Sequence, residues 1–126
     1  MPASASLIPI NATQTAASSG NVAAAVATVT LAAVAGRLNY ITGFSVTGTG
    51  ATAGLPVTVT VTGLLGGTQS YTYCAATGVT IGNTPLVVNF PTPIPASAAN
   101  TAIVVSCPSL GLGSTNNTVN AMGYYE

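Results

Sequence analysis

The sequence predicts an all-β protein: an antiparallel β-sandwich of the jelly-roll or a related Greek-key kind, with an extended N-terminal arm. Two observations predict it. Val57, Val59 and Val61 alternate with Thr58, Thr60 and Thr62. A period of two in β-branched residues is the mark of a strand with one apolar and one hydroxyl face. In addition, about eight short runs of strand character follow one another at spacings of roughly 8 to 16 residues, separated by Gly and Pro, as in sandwiches. An immunoglobulin-like sandwich is the alternative.

The chain reads as an arm and linker over residues 1–21 and a sandwich domain over residues 22–126. The arm is small, polar and unpatterned apart from one apolar knot, Leu7-Ile8-Pro9-Ile10. It reads either as a frayed terminus or, because a floppy tail gains nothing from such a knot, as a built arm. On the second reading these residues are the candidate anchors of an arm that packs on a neighbour. Ala16 to Gly20 reads as a linker.

Residues 22–34 are ambiguous. Alanine favours helix, and Val22, Val26, Val29 and Ala33 fall at helical spacing. Against that, Thr28-Val29-Thr30-Leu31 is β-like and no charge marks a solvent face, so a strand is expected over about 24–34. Leu38 to Thr47 alternates again, with Gly43 breaking the pattern and marking a bulge. Residues 48–54 form a loop. Val57 to Thr62 and Thr68 to Tyr73 form a hairpin around Gly63, Gly66 and Gly67.

A short strand at 78–81 and a turn at Gly82-Asn83 follow. Leu86 to Phe90 is a compact strand closed by Pro91-Thr92-Pro93-Ile94-Pro95, whose prolines are expected to lie extended outside any sheet. Thr101 to Cys107 is the most continuous apolar run and is expected to be a central strand buried on both faces. Asn117 to Tyr125 is the last strand.

Composition excludes more than it identifies. The 126 residues carry one cation, Arg37, and one side-chain anion, Glu126; charged residues are 2% of the chain, against about 25% in ordinary domains. General acid–base catalysis draws on His, Asp, Glu or Lys, and this chain has only its terminal Glu. A Ser or Cys nucleophile has no base beside it, so no enzyme is expected. Two thiols without imidazoles fill no zinc shell, and calcium wants several carboxylates. Nucleic-acid binding requires cations against phosphates. The longest apolar run, Val22 to Ala35, is too short for a membrane helix. No cofactor, nucleic-acid, membrane or small-molecule partner is therefore expected.

Cys74 and Cys107 both fall in expected strands and read as two small buried thiols, with a single disulfide as the alternative. What remains is surface. So few charges give little protection against association, which points to a permanent oligomer or a larger particle. Pro93, Ile94 and Pro95, a stiff apolar projection, and the paired Tyr124 and Tyr125 are the candidate subunit or shell contacts.

Tyr40-Ile41-Thr42-Gly43-Phe44, Gly63-Leu64-Leu65-Gly66-Gly67 and Pro93-Ile94-Pro95-Ala96-Ser97-Ala98-Ala99-Asn100, within residues 38–124, resemble a group of small structural proteins of tailed bacteriophages. The resemblance implies a capsid decoration or cement protein on the virion surface, made in the host cytoplasm. It implies the major capsid protein as partner and a homotrimer on a local three-fold axis. No catalytic residue carries over. The alternative is a fibre-tip or adhesin-like module that binds a host-surface carbohydrate; the absence of Trp and Asp weighs against it.

Overall fold

The computed structural model describes residues 9–49, 53–75, 77 and 84–126. Among the described residues there are ten strands and no helix. In chain order they are β1 Thr13–Ser18, β2 Ala27–Leu31, β3 Asn39–Thr49, β4 Ala53–Gly54, β5 Val57–Thr62, β6 Gln69–Tyr73, β7 Leu86–Pro95, β8 Ile103–Cys107, β9 Gly111–Leu112 and β10 Asn116–Tyr125. Two four-stranded sheets have the orders β1-β10-β3-β7 and β2-β8-β5-β6, and β4 pairs with β9 beside them. Every pairing is antiparallel.

The strand order has a simple origin. β1 pairs with β10, β2 with β8, β3 with β7, and β5 with β6. The first half of the chain thus runs back along the second as one long ribbon. Folding that ribbon sends successive pairs alternately to the two layers, and the β10–β3 and β5–β8 pairings close each sheet. This wrapped ribbon is the jelly roll, and it sets aside the immunoglobulin-like alternative.

Alternation places the core. Ile41, Phe44, Val46, Val119 and Ala121 of one sheet meet Val29, Leu31, Val59, Val61, Ile103 and Val105 of the other, each no more than 2% exposed. Burying such side chains stabilises by about 1.5–3 kcal/mol each for the larger ones. Two buried asparagines stitch the layers at opposite ends. Asn39 Nδ2 donates to the carbonyl oxygens of Ala32 (2.9 Å) and Thr101 (3.0 Å), and more weakly to that of Leu31 (3.5 Å). Asn117 Nδ2 donates to the carbonyl oxygens of Pro108 (3.1 Å) and Cys107 (3.3 Å).

Several elements differ from their sequence reading. Residues 13–18 are no linker: they pair in unbroken register with Ser18↔Asn120 through Thr13↔Tyr125. Their Thr, Ala and Ser side chains are too small to announce an inward face. The strand expected over 24–34 is only Ala27–Leu31, because Ala24 takes a positive φ of 53° and its N–H donates to Ser114 O (2.8 Å). β8 is central but buries only one face: Ile103, Val105 and Cys107 point inward while Val104 and Ser106 are half-exposed.

The prolines do lie in a strand. β7 is a sheet edge, where a missing N–H costs no ladder bond. Pro95 stands opposite Tyr40, while Phe90, Pro91, Thr92 and Pro93 bulge out opposite Thr42 alone. The bulge read at Gly43 is present: Thr42 is also the extra residue where Met122 faces Gly43 and Gly123 faces Ile41. The strand and turn expected over 78–83 lie outside the described residues, as do Leu7 and Ile8.

Candidate functional site

The double irregularity of β3 and β7 shapes a groove on the outer face of the β1-β10-β3-β7 sheet. Its volume is about 340 Å³ and it is lined by Thr42, Asn89, Phe90, Pro91, Pro93 and Met122. Thr42, freed from the ladder, donates its hydroxyl to Met122 O (3.1 Å) and so ties the groove's two sides together. Phe90 forms one wall at the sandwich's rim. Its ring centroid lies 6.3 Å from that of Phe44, and Tyr71 meets Phe44 edge-on at 5.2 Å. Met122 remains 44% exposed at the groove's other wall.

The register gathers the rest of this face. Met122 faces Ala16 and Gly43, Ser45 faces Asn120 and Val87, and Tyr124 faces Gln14 and Tyr40. The Tyr40 and Tyr124 rings stack with centroids 4.8 Å apart and an interplanar angle of 20°. None of these residues is Asp, Glu, His, Lys or Arg.

The structure brings Pro93, Pro95 and Tyr124 to this face and sends two other candidates elsewhere. Ile94 pairs with Ile41 and packs inward against the core. It closes the sandwich rather than projecting from it. Tyr125, one residue on from Tyr124, turns to the opposite side of the sheet, where the Arg37 guanidinium carbon lies 5.6 Å from its ring centroid. Tyr124 itself is only 5% exposed, so its area is largely used within the chain. Among the arm candidates, Pro9 accepts the Ala12 N–H (3.0 Å) in a turn and Ile10 stands 97% exposed. Thr42, Asn89, Phe90, Pro91 and Met122 escaped sequence reasoning as site residues. Only Gly43 hinted at the irregularity that assembles them.

Charge is segregated. Leu38 and Glu126 exchange backbone hydrogen bonds of 2.9 and 3.2 Å, which sets Arg37 and Glu126 at one end of the sandwich. The opposite end exposes Leu55, Leu112 and Val26, held near one another by Leu55 N–H to Leu110 O (3.4 Å) and Ala24 N–H to Ser114 O.

The thiols are both free, and they differ. Cys107 is buried, which pushes its thiol pKa up despite a hydrogen bond from Asn117. Cys74 lies just past β6 and is exposed, contrary to the expectation of a buried strand residue. Buried thiols are inert and exposed ones accessible. A thiol reagent at mild alkaline pH should therefore label one cysteine per native chain, Cys74, and reach Cys107 only in denaturant. Rapid native labelling of both would contradict this packing.

No family model matches this chain, and no curated protein or solved structure matches it either.

Proposed function

We propose that the chain is a structural virion protein, not an enzyme, that decorates and stabilises a phage capsid by non-covalent binding to the major capsid protein. The observation that carries the reading is the segregation of charge. Both side-chain charges sit at one end, while the outer face of the β1-β10-β3-β7 sheet and the far end present Met122, Val87, Leu55 and Leu112 with no charged side chain among the residues around them. Such a surface works by shape and apolar area. A protein that binds only the assembled shell stabilises it by mass action, without chemistry. The sequence resemblance to tailed-phage structural proteins supports the same role, and the jelly-roll architecture is compatible with it, as with many others.

The test is attachment to assembled shells. Few charges are available to be screened, so binding should survive molar salt; release by moderate salt would overturn the reading. Removing residues 1–12 leaves β1 whole and tests the arm separately. If Leu7, Ile8, Pro9 and Ile10 anchor it, attachment weakens while the domain stays folded.

A second reading, a module that binds a host-surface carbohydrate, rests on the groove. Phe90 supplies an aromatic wall, and Asn89 and Thr42 supply amide and hydroxyl groups beside it. Binding on a glycan array that is lost in Asn89→Ala would favour this reading over the first.

A further inference from the structure

We infer that the edge of β1 left unpaired among the described residues is a self-association edge, at which a second copy of this chain adds its own β1 antiparallel across a two-fold axis. The inference goes beyond shell binding and stands independently of it.

The two edges of the same sheet are built differently. β7 is blunted by Pro91, Pro93 and Pro95 and by the Phe90–Pro93 bulge. β1 has no proline, no charge and no bulge along its six residues. Proteins ordinarily guard a free edge with such devices, because an unguarded one is a template for another strand. The edges of the other sheet, β2 and β6, are shorter at five residues each.

The hydrogen-bond phase of β1 makes the joint specific. Ser19 N–H donates to Val119 O at 2.8 Å, and antiparallel bonding alternates from residue to residue. Thr13, Thr15 and Ala17 therefore spend their backbone groups on β10. Gln14, Ala16 and Ser18 point theirs away from the sheet, and their side chains are exposed.

A two-fold axis through Ala16 sets it against Ala16 of the partner subunit and Gln14 against Ser18 of the partner subunit. Each pair exchanges both backbone bonds. Only a residue at such an axis faces its own copy, where a charge would meet a like charge, so a symmetric joint favours an uncharged, small central residue. TQTAAS meets both conditions.

An edge joint is small beside the roughly 1,200–2,000 Å² of stable complexes, so its dissociation constant should be on the order of tens of micromolar. Sedimentation velocity of the full chain, from low micromolar to near-millimolar, tests it. The expected result is a concentration-dependent dimer, with the amide of Ala16 gaining protection from hydrogen exchange as the dimer forms.

Ala16→Pro removes the outward N–H at an edge position where the ladder to β10 does not use it, and should raise Kd at least about tenfold. Ala16→Lys leaves every backbone bond in place, opposes like charges across the axis, and should do the same at low salt, with recovery at high salt. A monomer throughout, a trimer, or a dimer indifferent to Ala16→Lys would each overturn the inference. Attachment to shells by an Ala16→Lys monomer would leave the capsid reading standing.

Discussion

Asn39→Asp should be the most damaging conservative change in the chain. It alters one nitrogen to oxygen, yet it removes the donor on which three backbone carbonyls depend and aims an acceptor-only group at them. Ionised, that group would be a 2%-exposed charge facing carbonyl oxygens. The cost is on the order of 4 kcal/mol or more, a Tm lower by roughly 15 °C or more in a domain of this size.

The pH dependence has a definite sign. The folded environment favours the protonated acid, so the carboxyl's folded pKa lies above its unfolded value of about 3.9. The folded state then holds more protons, and stability falls as pH rises through and above that value. Thermal melts followed by circular dichroism should show the deficit shrinking below about pH 4 and greatest at neutrality. A variant as stable at pH 7 as at pH 3 would contradict the burial of Asn39. Asn39→Leu, which loses the bonds without gaining a charge, should show no such pH dependence.

Gly123→Ala should be the next most damaging. A Cβ at Gly123 would overlap the carbonyl oxygen of Tyr40 and press on Ile41 Cα at 3.2 Å. Both obstacles are backbone in the middle of the sheet, so no side chain can step aside. The loss is about 3 kcal/mol or more. The damage should be felt in the groove, since Met122 is the adjacent residue and carries the bond from Thr42.

Gly20 provides the control. Its φ is positive, 66°, unlike that of Gly123, but an added Cβ there meets nothing within 4 Å. Gly20→Ala should therefore cost only about 1 kcal/mol, for backbone conformation alone. Urea unfolding of the two variants decides the matter, and equal midpoints would refute the steric argument.

The fold class was legible because its signal is local. Val57–Thr62 alternates strictly, and its return strand follows after a glycine-rich turn, so β5 and β6 stand where the residues placed them. Gly43 announced its bulge for the same reason. What escaped was long-range.

β1 is invisible in TQTAAS because nothing there is large enough to declare a face; it is a strand only because β10 lies beside it. The prolines of β7 were misread because proline's veto on strands is a veto on interior strands, and edge position is a property of topology. Ile94 and Tyr125 turned inward or away for the related reason that register assigns faces, and a neighbour's bulge can shift the register. The groove depends on two such shifts meeting opposite one another, which no local pattern records.

The Tyr40–Tyr124 stack has an optical consequence. The chain contains no tryptophan, so phenol rings dominate its near-ultraviolet absorption. Two of them held 4.8 Å apart and 20° from parallel are coupled chromophores, and their circular dichroism should carry a signature that isolated tyrosines lack. Since β3 and β10 come from distant parts of the chain, that signature is a built-in stopwatch for the moment in refolding when the two strands first lock together.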